Sequence, residues 1–242
     1  MARGSLDFSN VVNSGISFSV APSWEAINRP LGLLSKDLRG QCLLYNDFED
    51  GSPSASETFT NVPVYQGIAV NNIYPGNFSY RMKTNVGANS LCALTFGLPY
   101  ALADRCGHEA LYYCNDSVTV IRHKLNYFSG SVVHESAVRF DTNDGKTYLL
   151  NNVGVYVDIS SLVTHTFPDT HYQNIKLVVD FTTGKYLRVL INSVLYDISA
   201  YSYKQSASVV KSYLQYENRV NNFGANSAEI FVDNIIITGN EP

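Results

Sequence analysis

From about residue 42 to the end, apolar and polar residues alternate in short runs with a period of two, and each run stops at a cluster of Gly, Asn, Asp, Ser or Pro. The clearest case is the stretch from His171 to Ser199. Ile175, Leu177 and Val179 alternate with Lys176, Val178 and Asp180, which predicts a strand over Ile175 to Phe181. Gly184 sits in the turn that follows, because it takes a positive φ without a steric penalty. The return strand runs from Tyr186 to Ile191, with Leu187, Val189 and Ile191 on one face and Arg188 on the other. Asn192-Ser193 turns the chain again into a third strand, Val194 to Ile198.

The same reading predicts strands over Val64 to Val70, Phe78 to Thr84, Ser90 to Phe96, Ala110 to Cys114, Val118 to Asn126 and Val132 to Asp141. Others follow at Tyr148 to Asn151, Val155 to Ile159, Tyr213 to Asn218 and Glu229 to Thr238. A short strand over Cys42 to Tyr45 runs into the acidic turn Asp47-Phe48-Glu49-Asp50-Gly51. Residues 51–63, 99–106, 160–170 and 200–210 read as loops, and Asn143-Asp144-Gly145 as a hairpin turn. Many short strands, regular turns and almost no helical pattern predict an all-β protein, an antiparallel two-sheet sandwich or barrel.

Residues 1–41 differ. Leu6, Phe8, Val11, Val12, Ile16, Phe18 and Trp24 are scattered among Ser, Asn and Gly, so this segment reads as an extended N-terminal arm ahead of one domain, 42–242. It is too apolar for a freely solvated tail, so the expectation is that these residues pin it to its own body or to a neighbouring chain.

Composition agrees with the strand reading. Of the 242 residues, 17 are Tyr and 12 Phe, and only 16% are charged against a typical ~25%. The net charge of −4 argues against a nucleic-acid partner, which would favour a basic face. No apolar run approaches the ~20 residues of a membrane helix, so no membrane insertion is expected. The N-terminal residues lack the apolar core of a secretory signal. Four cysteines, Cys42, Cys92, Cys106 and Cys114, allow three fully paired connectivities. Free thiols buried in or beside the core are the leading reading for a chain without a signal, and Cys106 with Cys114 is the candidate disulfide by proximity. Cys106, His108 and Cys114 have zinc-binding chemistry but no standard ligand spacing.

The meander HYQNIKLVVDFTTGKYLRVLINSVLYDIS resembles the signature of laminin G-like and concanavalin A-like jelly rolls. Phe48-Glu49-Asp50-Gly51 is similar to their opening turn, and Phe231-Val232-Asp233-Asn234-Ile235-Ile236-Ile237 to their last strand. The resemblance covers residues 42–239 and implies a jelly-roll β-sandwich. It implies packing for His171 and candidate calcium sites at sandwich-edge loops. It leaves function open among lectins, glycanases, adhesive modules and virion proteins.

The chemistry was sought in three places. Jelly-roll glucanases carry closely spaced carboxylates on one strand. No such stretch occurs here: Glu229 and Asp233 share a strand, but four residues span roughly 13 Å, too far for a retaining pair. Asp141, Asn143 and Asp144 offer oxygen ligands for calcium, but their spacing does not match an EF-hand and a plain hairpin turn is the favoured reading. Tyrosines cluster at Tyr112, Tyr113, Tyr127, Tyr148 and Tyr156, and again at Tyr201, Tyr203, Tyr213 and Tyr216. Of these, Tyr112, Tyr113, Tyr201 and Tyr203 are the candidate glycan-stacking residues, core packing being the alternative.

Together these features favour a non-catalytic structural protein of a large assembly that includes copies of itself. The leading expectation is a capsid decoration or virion surface protein held by its arm, on a particle surface or outside the cell. A carbohydrate-binding module reading cell-surface glycans is the alternative, and a polysaccharide-cleaving hydrolase or lyase the third reading. No cofactor is expected beyond the candidate calcium.

Overall fold

The computed structural model describes residues 40–53, 55–70, 77–87, 89–98, 104–114, 119–192, 194–222 and 226–242. Among these residues the secondary structure is all β, with no helix. The expected arm, with Leu6, Phe8, Val11, Val12, Ile16, Phe18 and Trp24, lies outside the described residues.

The strands form two antiparallel sheets. The first runs in the order β13 (Val194–Asp197), β12 (Lys185–Ile191), β11 (Asp169–Asp180), β6 (Arg105–Cys114), β16 (Glu229–Gly239), β4 (Ser79–Lys83) and β3 (Tyr65–Ala69). β1 (Gln41–Asn46) lies beside the C-terminal half of β16, while β4 takes the N-terminal half of the same edge. The second runs β10 (Tyr156–Asp158), β9 (Lys146–Leu150), β8 (Val132–Asp141), β7 (Thr119–Phe128), β15 (Tyr213–Asn222), β5 (Ser90–Leu98) and β2 (Ser56–Thr60). β14 (Lys204–Ala207) shares an edge of β8 with β9 in the same way. The central pairs β6–β16 and β7–β15 each join strands from distant parts of the chain, as jelly-roll connectivity requires.

The core lies between the sheets and is built by strand parity. Leu177, Ile175 and Val189 of the first sheet face Ile121, Leu125 and Val220 of the second. Two buried tyrosines tie the layers. Tyr186 on β12 donates its hydroxyl to Leu150 O (2.8 Å) and accepts from Ala137 N (3.0 Å) on the opposite sheet. Tyr203 donates to Asp180 O (2.9 Å).

The predicted strands are present, with four differences. β6 and β11 begin inside stretches read as loops, at Arg105 and Asp169. Residues 56–60 and 204–207, read as loops, form the edge strands β2 and β14. Their polar text carries no apolar face, because β2 is exposed throughout and β14 nearly so. Leu187 does not join Val189 and Ile191: the register slips between Val178 and Val179, Tyr186 takes the inward place, and Leu187 falls at the bulge. His171 is exposed rather than packed.

The chain ends on the outer face of the first sheet. The Glu241 carboxylate meets Lys176 Nζ at 2.8 Å and Arg188 at 2.7 Å, accepts from Thr238 Oγ1, and is closed to solvent. Gly107 makes room for it. A Cβ there would stand 2.5 Å from Thr238 Oγ1, 2.8 Å from Glu241 Oε1 and 2.9 Å from Lys176 Cε.

Candidate glycan-binding face

The outer face of the second sheet gathers charged, aromatic and amide side chains into one strip. Its organising feature is a single row across the sheet. On β15, Arg219 lies directly opposite Arg122 of β7, which lies opposite Arg139 of β8, which lies opposite Tyr148 of β9. Neighbouring strands stand about 4.8 Å apart, so the three arginines span about 10 Å. Like charges directly opposite one another are destabilising in a sheet.

Three features offset the repulsion. Arg219 pairs with Glu217 two residues away on the same face, at 2.9 Å. Arg139 lies 4.0 Å above the centre of the Tyr148 ring and 5.0 Å from that of Tyr156, with Asp141 at 3.8 Å. Arg122 has the Tyr156 ring at 5.2 Å and makes no ion pair or side-chain hydrogen bond among the described residues. The ring quadrupoles attract the guanidiniums and fix their planes.

Further along the strands, Lys124 pairs with Glu135 at 3.0 Å, and Lys204 reaches the same carboxylate. Burial alone would raise the Glu135 carboxyl, but the two ammonium groups outweigh it and hold the group below its usual range. Asn126 then donates to Gln215 at 3.0 Å. Beyond them, Phe128 and Tyr213 stack in parallel with centroids 4.5 Å apart. From the arginine row to this pair is six residues along β7, roughly 20 Å.

The strip is half-buried: Arg139 and Arg219 side chains keep 21% and 25% of their exposure, and Glu217 12%. Several polar atoms on it lack partners, namely the Nε atoms of Arg122, Arg139 and Arg219, with Asn126 Oδ1, Glu217 Oε1 and Asn221 Oδ1. Buried polar atoms are normally satisfied, so this density of unpaired, solvent-shielded atoms on one face is unusual.

The residues singled out in the sequence fall elsewhere. Tyr112 points into the core from β6, with its hydroxyl 2.6 Å from His123 Nδ1. Tyr203 is likewise buried, so neither can stack on a ligand. Tyr113 is half-buried on the outer face of the first sheet against Phe231 and Tyr172, and Tyr201 is half-buried against the core. Asp141 and Asp144 act as turn acceptors: Asp141 Oδ1 takes Asn143 N (3.1 Å), and Asp144 Oδ1 takes Lys146 N (2.9 Å). The second Asp144 oxygen accepts from the Tyr148 hydroxyl at 2.5 Å, so the hairpin aims that ring, and this hydrogen bond raises the phenol's pKa. Among the described residues no group of three His, Cys, Asp or Glu side chains is arranged to hold a metal ion.

The Cys106–Cys114 disulfide is overturned. None of the four cysteines forms a disulfide, as the buried-thiol reading has it. Cys106 and Cys114 lie at opposite ends of the one strand β6, and eight residues of strand span roughly 26 Å, far beyond a disulfide's reach.

Fold and face together define a two-sheet jelly-roll β-sandwich with a polar, aromatic-flanked strip across one sheet. No protein-family model and no curated protein sequence matches the chain. Solved structures do. An endo-β-1,4-glucuronan lyase from the fungus Trichoderma reesei superposes with TM-score 0.54 at 9% identity, over 82% of this chain and 96% of that one. A Bacillus subtilis protein with a galectin-like fold gives 0.52 at 10% identity, over 83% and 97%. A carbohydrate-binding module from the β-sandwich superfamily gives 0.45 at 11% identity, and the chain spans 60% of its length. At these identities the likeness is one of fold.

Proposed function

We propose that the protein is a carbohydrate-binding module and that the outer face of the second sheet is its platform. One observation carries the reading: the strip lines up half-buried charged and amide side chains, the arginine row, Lys124 and the Asn126–Gln215 pair, along one face. A polyhydroxylated chain is the ligand chemistry that meets such a run of charged and amide groups with many hydroxyl donors and acceptors. The fold is one that the Trichoderma enzyme uses on a polysaccharide, which is compatible with this use of the scaffold. The carboxylates on the strip are committed to neighbouring cations: Glu135 to Lys124 and Lys204, Glu217 to Arg219. That arrangement suits holding a ligand. The virion reading rests on residues 1–41, nearly all outside the described residues, and no observation on the body favours it over glycan binding.

Affinity electrophoresis through gels containing neutral and acidic polysaccharides tests the proposal. Retardation by at least one polymer is expected, weakened in Asn126→Ala and Tyr156→Ala. Mobility unchanged by every polymer, or retardation indifferent to both substitutions, rejects this face as the platform. Release of unsaturated or reducing ends from a retained polymer would replace binding by turnover.

A further inference from the structure

The faces of Tyr148 and Tyr156 that look onto the strip are already occupied by guanidinium groups, at 4.0 Å for Arg139 over Tyr148 and at 5.0 and 5.2 Å for Arg139 and Arg122 over Tyr156. These rings therefore orient cations and do not lie bare for a neutral sugar. The row offers a ligand three forked donors in register. Glu217 engages one of them, Asp141 lies at long range from the second, and Arg122 in the middle has no anionic partner. A chain that places three like charges opposite one another and leaves the central one uncompensated has left room for an anion.

Resting on the glycan reading, we infer that the ligand is an anionic glycan whose carboxylate or sulfate groups are gripped by the Arg219–Arg122–Arg139 row, with Arg122 as the central anchor. Guanidinium forks match both groups in a bidentate manner that lysine cannot reproduce. The interstrand step of about 4.8 Å is comparable with the advance of one pyranose along an extended chain, so successive arginines can meet successive sugars. Lys124 and the Asn126–Gln215 pair continue the strip with donors for hydroxyl groups.

The test is titration of the full chain with polygalacturonate, heparin, a neutral xylan and poly(U), for wild type, Arg122→Gln, Arg122→Lys and Lys211→Gln. Lys211 is exposed and outside the strip, so its substitution removes the same charge elsewhere. Binding to polygalacturonate or heparin is expected, and it should weaken as salt shortens the Debye length below about 10 Å. It should fall roughly tenfold or more in Arg122→Gln, as loss of a charged hydrogen bond implies. Arg122→Lys should rescue it only in part, and Lys211→Gln should leave it unchanged. The polygalacturonate and heparin arms tell carboxylate from sulfate. Thermal unfolding of each variant separates lost binding from lost fold. Xylan binding of equal strength, unaffected by Arg122→Gln, would overturn the anionic inference and leave the glycan reading standing. Binding to poly(U) alone, or to no polymer, would overturn both.

Discussion

The imidazole rings of His108 and His123 lie parallel in the core, 4.0 Å apart with 6° between their planes. Each is fully buried, one on each sheet. His123 is held on both sides. Its Nε2 lies 2.9 Å from the His108 carbonyl, which makes it the donor there. Its Nδ1 lies 2.6 Å from the Tyr112 hydroxyl and 3.0 Å from that of Tyr216, and Asn218 Oδ1 lies beside both, so one phenol donates to the ring nitrogen and the other to the amide oxygen. Such a circuit requires a neutral ring. Burial pushes His108 well below its ordinary pKa, aided by the adjacent His123, and pushes His123 down to about 4. A base whose folded pKa is depressed adds stability that is complete above its unfolded value of about 6.5 and is lost as pH falls. The protein should therefore lose ~3 kcal/mol between pH 7 and pH 4 from His123 alone, at about 1.4 kcal/mol per pKa unit. Urea unfolding across that range measures it. A midpoint unchanged down to pH 5 would show that the pair is not buried neutral.

His108 gives a second, opposite expectation. Neither of its ring nitrogens has a hydrogen-bond partner, although the ring is fully buried. An unsatisfied buried polar group costs about 1–3 kcal/mol. His108→Leu, close in volume, should raise the unfolding midpoint by about 1 kcal/mol at neutral pH and shift acid unfolding to lower pH. Destabilisation at pH 7 would mean that the imidazole contributes more by stacking on His123 than it loses by desolvation.

The interior network also shows where sequence reading reaches its limit. Alternation along Val120-Ile121-Arg122-His123-Lys124-Leu125-Asn126 puts Arg122, Lys124 and Asn126 on the outer face, and this was legible. The all-β antiparallel class was legible for the same reason, since each strand that lines the core carries the pattern, and the jelly roll came from the resemblance of the meander. What no local pattern carries is which strands meet. β7 pairs with β15 from the far end of the chain, and only that pairing sets Arg219 beside Arg122. The tyrosine clusters did contain Tyr148 and Tyr156. Tyr112 and Tyr203 were the wrong choices because a tyrosine with a buried hydroxyl partner reads, in sequence, like one that faces solvent.

The clasp at the C-terminus predicts a large effect from one distal residue. Glu241 shares its carboxylate between Lys176, only 2% exposed, and Arg188. Removing one partner of a buried ion pair costs about 3–5 kcal/mol, because the remaining charge stays desolvated. Glu241→Ala should destabilise by about that amount, and Gly107→Ala should do likewise by displacing the carboxylate. Chemical denaturation of the two variants and their double mutant checks the link. Additive losses would show that Gly107 and Glu241 act independently.

The arginine row predicts a trade between stability and binding. Arg122 faces a like charge on either side, at Arg219 and Arg139, and has no carboxylate of its own. Arg122→Gln removes both repulsions while keeping a side chain long enough to cover Tyr156. Cross-strand charge pairs are worth about 0.2–1 kcal/mol each. The variant should therefore be more stable than wild type by about 0.5 kcal/mol in low salt, with the gain shrinking as salt screens the row. A residue that weakens the fold in its unliganded state and is kept in place by ligand predicts this pattern, whereas a structural arginine predicts the reverse. Equilibrium unfolding of Arg122→Gln at two salt concentrations decides between them: a loss of stability that does not depend on salt would assign Arg122 to the architecture of the sheet.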